Sequence, residues 1–402
     1  MLNFEQRREF DLERFYFGPA YESLAVSDSY HGLEDRRAQR RVLRLEIKQR
    51  NSVLRQGIGI ILGGMTRVLV TGGAGFIGSN FVRWALSAHA DWHITTLDKL
   101  TYAGRLENLA GLETDPRHTF VRGDVADAAA ADPLVQDADI VVHFAAETHV
   151  DRSLQAAGEF IQTDVFGTFV LLEAARRAPR LRRFIQISTD EVYGSVPEGA
   201  SVETDELRPR NPYSASKAAA DRLAYGYWAS YRVPVIVTRA SNNYGPNQFP
   251  EKVIPLFITN LLEGRRVPLY GDGLNVRDWL HVDDHCRAID LVIERGTEGE
   301  VYNVGGGNEV RNVDLTQRII ELVGAGPDMI QPVADRPGHD RRYALDTGKL
   351  RGLGWEPEVA FEEGLARTVD WYRQNERWWR PIKEQDPAFR AYYDAQYGKT
   401  AP

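Results

Sequence analysis

The sequence predicts an α/β protein: a doubly wound parallel sheet with a smaller α+β region after it. Three observations carry this prediction. Short apolar runs alternate with stretches of helical spacing from Met65 to about Ala240. A glycine-rich turn, Gly73-x-Gly75-x-x-Gly78, separates the first run from the first helical stretch. Beyond Ala240, Gly and Pro cut the chain into short pieces at 244–250, 270–275 and 303–308.

Residues 67–71 (RVLVT) read as the first buried strand. Residues 79–89 place Phe81, Val82, Ala85 and Leu86 on one helix face. A second strand is predicted over 93–97, ending at Asp98, with further buried strands at 119–121, 140–144 and 183–187. Residues 160–177 read as a helix between them, and 361–380 as a terminal helix whose Trp371, Trp378 and Trp379 serve packing. No internal repeat is visible. These patterns divide the chain into an extension at 1–64, a first domain at 65–240 plus about 273–300, and a second from about 241–272 and 301–402.

The extension differs in charge. It holds 11 Lys+Arg and 9 Asp+Glu, whereas the whole chain is at −8. Between Glu34 and Arg55 lie eight basic and three acidic residues with Leu43, Leu45, Ile47 and Leu54 interspersed. It reads as a disordered or dispensable appendage, with translation expected to start at Met65.

Composition bounds the function. With 402 residues, 43% hydrophobic and 26% charged, the chain is neither collagen-like nor low-complexity, and it can bury a sizeable core. The acidic balance argues against nucleic acid as a partner. The single cysteine, Cys286, cannot close an intrachain disulfide, which points to a reducing compartment. Residues 57–64 (GIGIILGG) are too few to span a bilayer, and no secretory h-region is present. The expectation is a cytoplasmic enzyme without a membrane partner.

The glycine turn follows a strand and opens a helix, the context a Rossmann-type dinucleotide site needs. Glycines let the backbone approach a pyrophosphate, and the helix N-terminus offers unpaired amides. Asp98 lies twenty residues past Gly78, where a carboxylate accepts adenosine ribose hydroxyls and repels a 2′-phosphate, so NAD is expected over NADP. Lys99 and Arg105 nearby soften that preference, and Asp124 is placed to meet the adenine. Tyr213-Ser214-Ala215-Ser216-Lys217 sets Tyr and Lys on one helix face. An ammonium beside a phenol, together with the positive nicotinamide ring of a bound cofactor, favours the phenolate and makes it a usable base. Thr189, Asp190 and Glu191 follow a strand, at the end where open α/β sheets bind ligands. His149 and His281 lack ligand spacing, so no metal is expected.

Together these motifs resemble the extended short-chain dehydrogenase/reductase superfamily and, within it, the dTDP-glucose 4,6-dehydratase family. The carrying segments are VTGGAGFIGSN (70–80), LDKLTYAG (97–104), HFAAETHVDRS (143–153), STDEVYG (188–194), YSASK (213–217), SNNYGPNQFPEKVIP (241–255), YGDGLNVRDWLHVDD (270–284) and ADRPGHDRRYALD (334–346). The resemblance spans about residues 66–380 and implies a Rossmann-type fold with a sugar-nucleotide domain, an NAD cofactor, a dTDP-glucose substrate and a homodimer paired through 160–175 and 216–231. It implies that C4 of the hexose is oxidised first, which acidifies the C5 proton. Glu191 is then the C5 base, Asp190 the acid for the leaving C6 hydroxyl, Tyr213 the base for the C4 hydroxyl, and Lys217 its tuning partner. Thr189 hydrogen-bonds the sugar.

The implied cofactor contacts are Gly72, Gly75, Phe76, Ile77, Gly78, Asp98, Lys99, Thr101, Asp124, Val125, Ala145, Ala146, Thr148, Thr163, Tyr213, Lys217 and Asn243. The implied substrate contacts are Thr148, His149, Thr189, Asn242, Lys252, Val253, Pro268, Tyr270, Arg277, Asn303, Asp335, Arg336 and His339. Arg277 suits a pyrophosphate through its planar fork. Two departures stand out. Thr148 replaces a more usual Ser, and Asn247 replaces a commonly aromatic residue. Related UDP-glucose 4,6-dehydratases also carry Asn there, which leaves UDP-glucose as the alternative substrate. A nucleotide-sugar 4-epimerase or decarboxylase on the same fold is the other alternative, although an epimerase has no use for an acid/base pair at C5 and C6.

Overall fold

A computed structural model describes residues 64–335 and 339–397; the extension and Arg336 lie outside the described residues. The first strand, β1 (Thr66–Thr71), shows how the layers form. Val68 and Val70 enter one buried cluster while Leu69 enters another, because successive strand residues face opposite sides of the sheet. Burial on both faces calls for an unbroken apolar run, as in parallel sheets.

Further strands are β2 (Trp92–Asp98), β3 (His118–Arg122), β4 (Ile140–His143), β5 (Arg183–Thr189), β6 (Val235–Ala240) and β10 (Val301–Val304). Among the described residues they form one seven-stranded sheet with β1, in the order β10-β6-β5-β4-β1-β2-β3. Every neighbouring pair is parallel. This is a Rossmann-type sheet. Its strand order reverses between β1 and β4, which opens a crevice at their carboxyl ends.

Helices α1 (Phe76–Ala88) and α6 (Val282–Arg295) cover one face through Phe81, Val82, Ala85, Ala288, Ile289 and Val292. The other face is covered by α2 (Ala128–Asp137), α3 (Thr168–Ala175) and α4 (Pro212–Tyr231). A third cluster lies apart from the large sheet. It gathers α5 (Val253–Leu262), α7 (Asn312–Val323) and α8 (Phe361–Gln374) around Tyr244, Val267 and Trp279. Two small sheets accompany it: β11 (Glu309–Arg311), β9 (Val276–His281) and β7 (Asn242–Tyr244) in one, β12 (Ile330–Val333) and β8 (Val267–Tyr270) in the other. No helix among the described residues is long and apolar enough to cross a membrane.

Several elements differ from their expected form. β5 runs on through Ser188 and Thr189, because these pair with Arg239 and Ala240 of β6. The helix expected over 160–177 is interrupted by a π-helical stretch, Ile161–Gly167, where Thr168 Oγ1 bonds the Asp164 carbonyl at 2.5 Å. The terminal helix breaks at Asn375 and resumes as α9 (Glu376–Gln385), followed by α10 (Pro387–Tyr397). The expected boundary near residue 300 also moves. β9 joins a small sheet, whereas β10 completes the large one beside β6.

Candidate active site

The crevice begins where β1 ends. Gly72 has φ 70° and its amide donates to the Leu97 carbonyl at 2.8 Å. A Cβ on Gly72 would meet Ala145 N at 2.5 Å, and one on Gly78 would meet Gly72 O at 2.3 Å. Strand, turn and helix start therefore approach more closely than any side chain permits. Gly75 caps α1 without a side-chain bond, so the first amides of the helix and its positive dipole end are left for an anion. This cradle fits a dinucleotide pyrophosphate. At the end of β2, Asp98 accepts from Ala74 N at 2.9 Å and Leu100 N at 2.8 Å. Burial raises its pKa, and those two amides pull it back. Lys99 is taken by Asp124, 2.6 Å away.

One cavity is lined by Gly72, Gly75, Phe76, Ile77, Gly78, Asp98, Lys99, Thr101, Asp124, Val125, Ala145, Ala146, Thr148 and Thr163. Continuing along the crevice it meets Thr189, Asp190, Glu191, Tyr213, Lys217, Asn242, Asn243 and Lys252. The fold thus brings residues from six strand ends to one place.

The reactive end is built by two helix starts. Thr189 closes β5 and caps the 3-10 turn Asp190–Tyr193, accepting from Glu191 N at 3.3 Å and donating to Asp190 Oδ1 at 3.1 Å. Asp190 is 3% exposed. Burial first, and Glu191 second, push its carboxyl up to about 8, so it is an acid at neutral pH. Its Oδ2 has no partner among the described residues. Opposite, Asn211 begins α4 with a capping box: its Oδ1 accepts from Ser214 N at 2.8 Å, and Pro212 fills the first helical position. Such a cap stabilises a helix by about 1 kcal/mol. It also sets where Tyr213 and Lys217 emerge.

Lys217 Nζ donates to the Ile187 carbonyl at 2.7 Å, and burial lowers its pKa. Without a nicotinamide ring beside it, the Tyr213 phenol is held well above its usual value. Burial is the main cause, followed by the Glu191 and Asp164 carboxylates, while a Thr189 hydrogen bond acts in the opposite direction. In this state the phenol keeps its proton.

The remaining predicted residues lie outside the cavity lining. His149 is buried 4.0 Å from Glu251. Val253 starts α5, while Pro268 and Tyr270 sit on β8. The Tyr270 ring meets the His339 ring edge-on at 6.2 Å, and His339 Nδ1 bonds Asp335 at 2.6 Å, so these three gather together. Arg277 donates to the Asp340 carbonyl at 2.9 Å. Asn303 is placed differently: it accepts from the Tyr193 hydroxyl at 2.8 Å and donates to the Ser201 and Asp346 carbonyls, which ties loops together. Asn247 takes a left-handed backbone, φ 65°, and bonds Asn108 at 3.3 Å. Asn tolerates that conformation better than an aromatic residue does.

The site also holds residues that the sequence did not single out. Glu147 lines the cavity with its carboxyl pushed up to about 7, mainly by burial. Asp164, on the π-helical stretch, accepts from Glu147 N at 2.8 Å and Ser216 Oγ at 2.6 Å. His285 reaches the cavity from α6, its Nδ1 2.9 Å from Asn243 Oδ1. Asn211 had a readable signal, since Asn-Pro before an apolar stretch marks a helix start. Asp164 and His285 had none. No group of three His, Cys, Asp or Glu among the described residues is placed to hold a metal ion.

A Rossmann-type sheet, a dinucleotide cradle and an acid-bearing turn facing a Tyr–Lys helix define an extended dehydrogenase-like scaffold. The profile of the GDP-mannose 4,6 dehydratase family matches residues 69–368, and the chain belongs to that family. Within it, the chain is 57% identical to dTDP-glucose 4,6-dehydratase of Streptomyces antibioticus over 324 residues, covering 79% of this chain and 96% of the relative. It is 54% identical to dTDP-glucose 4,6-dehydratase of Streptomyces niveus over 334 residues, covering 82% and 99%. Among solved structures it is similar to DesIV, a dTDP-glucose 4,6-dehydratase from Streptomyces venezuelae crystallised with NAD and TYD bound. That match has a TM-score of 0.77 and 52% identity, over 79% of this chain and all of the other.

Proposed function

We propose that this chain dehydrates dTDP-glucose to dTDP-4-keto-6-deoxyglucose, with NAD held in the cavity through the cycle. The observation that carries this reading is the Asp190–Glu191 pair: a carboxyl held up to about 8 next to a second acid on the same turn. Loss of water across C5 and C6 needs an acid at one carbon and a base at its neighbour. A 4-epimerisation has no use for that pair.

The Gly72–Gly78 turn and the start of α1 hold the NAD pyrophosphate, and Asp98 receives the adenosine ribose. Bound NAD supplies the acceptor for the C4 hydrogen and its later return to C6. Thr189 hydrogen-bonds the sugar, and with the positive nicotinamide ring bound beside it and Lys217 as its tuning partner, Tyr213 would give up its phenol proton and so be able to take the C4 hydroxyl proton. Glu191 removes the C5 proton made acidic by the C4 ketone. Asp190 gives its proton to the departing C6 hydroxyl, which leaves as water, and Glu191 then reprotonates C5. The Arg277, Tyr270, Asp335 and His339 group takes the nucleotide diphosphate side. Asn247 has a structural task against Asn108, so its departure from the family pattern does not move the reading to UDP-glucose.

We further place the protein in the cytoplasm as a homodimer. Phe166, Phe169, Tyr225 and Tyr231 are exposed along the 160–175 and 216–231 segments, and a second copy would cover them. Sedimentation of the purified chain tests this, and a monomer at assay concentration refutes it. The activity itself is tested by incubation with dTDP-glucose and, in parallel, UDP-glucose. A product absorbing in alkali as a 4-keto sugar is expected from dTDP-glucose. An epimer or unchanged substrate would defeat the reading.

A further inference from the structure

Glu191 is held from behind by two groups remote in sequence. Asn211 Nδ2 lies 3.3 Å and the Tyr343 hydroxyl 3.5 Å from its Oε2. Both contacts fall on one oxygen, so they orient the carboxylate from one side. Tyr343 is 4% exposed, and its segment is pinned on two flanks: Val276 N donates to Arg341 O and Val196 N to Arg342 O, each at 2.9 Å. Its hydroxyl donates to Asp340 Oδ2 at 2.8 Å, and Asp340 is itself held by Arg210 at 2.9 Å. Its ring lies beneath the Arg277 guanidinium, 4.3 Å from carbon to ring centre.

We propose that Tyr343 is a positioning residue for Glu191, linking the aim of the base to the guanidinium that meets the nucleotide diphosphate; this rests on Glu191 being the C5 base. A phenol suits the task because its one proton can be shared between Asp340 and the Glu191 carboxylate, while its oxygen can accept from the carboxylic acid formed once the C5 proton arrives. Burial and the Glu191 charge hold its own proton firmly, so it stays neutral through the cycle. An anion drawn to Arg277 restrains the ring stacked beneath it, and the hydroxyl carries that restraint to Glu191 Oε2.

Tyr343→Phe keeps the ring under Arg277 and removes the hydroxyl. We expect kcat and deuterium uptake at C5 to fall about ten- to a hundredfold, with single-turnover C4 oxidation and the Kd for dTDP within about twofold of wild type. Unchanged C5 exchange would overturn the proposal, and so would an equal fall in C4 oxidation, which marks general loosening of the site. If Tyr343→Phe does not fold, Asp340→Asn asks the same question. It loosens the acceptor that fixes the phenol's hydroxyl, so the restraint on Glu191 is lost and C5 exchange alone should slow. Glu191→Gln run alongside separates the two readings. Wild-type C5 exchange in that variant removes the base assignment, whereas abolished exchange with an unaffected Tyr343→Phe removes only the role of Tyr343.

Discussion

Asp190 and Glu191 share one turn but not one environment. Asp190 is sealed beneath Thr189 with its carboxyl pushed up to about 8, while Glu191 is half-buried at the cavity wall and hydrogen-bonded by Asn211. Two adjacent acids, one forced by burial to keep its proton, are what an elimination with opposite proton demands at neighbouring carbons requires. Their separation of roles motivates the first two predictions.

Glu191→Gln removes the base and leaves the Tyr213–Lys217 end intact. Dehydration should fall roughly 10²–10⁴-fold, the usual loss for a positioned base, while C4 oxidation persists. Mass spectrometry of sugar recovered from deuterated water checks this, and wild-type deuterium at C5 would clear Glu191 of the role.

Asp190 predicts a pH profile and a stability profile. Turnover should fall as pH rises through about 8, where the acid loses its proton. A carboxyl raised from 3.8 to about 8 lets the folded state hold a proton that the unfolded chain releases. Its stabilising share is complete below the lower value and is lost as pH climbs to the higher one. Asp190→Asn escapes that loss. Its thermal midpoint should therefore gain on wild type between about pH 4 and about pH 8. A constant gap across that range would show that Asp190 is not perturbed.

Asp98 bonds the Ala74 and Leu100 amides, so it shapes the turn as well as facing the ribose. Purified protein should carry NAD, and Asp98→Ala should lower that content and weaken discrimination against NADP. Release by denaturation followed by chromatography gives the measurement. Undiminished NAD would reduce Asp98 to a support for the turn.

Gly78→Ala should be severe for so small a change. The new methyl would sit 2.3 Å from Gly72 O and 2.8 Å from Gly73 Cα, both backbone atoms with little room to yield. We expect a loss of about 1–3 kcal/mol in stability together with loss of retained NAD. A variant with wild-type melting and full NAD would mean that the turn relaxes freely.

How much was legible follows the range of the interactions involved. β1, the glycine turn and α1 could be read because their signals, an apolar run, three spaced glycines and a helical stripe, all lie within one short stretch of chain. Tyr213 and Lys217 could be read because a helix repeats every 3.6 residues and puts them on one face. Thr189, Asp190 and Glu191 needed only the rule that strand ends face the crevice. The tertiary structure decided what no local period encodes. It turned 161–167 into a π-helical stretch whose Asp164 meets Ser216, and it gave Asn303 to the Tyr193 network outside the cavity lining. It buried the Tyr213 phenol among carboxylates that hold its proton in place. It also carried Tyr343 to Glu191 across 152 residues. Proton affinities and aim depend on burial and on charges contributed by distant segments, and those come into being only when the segments pack.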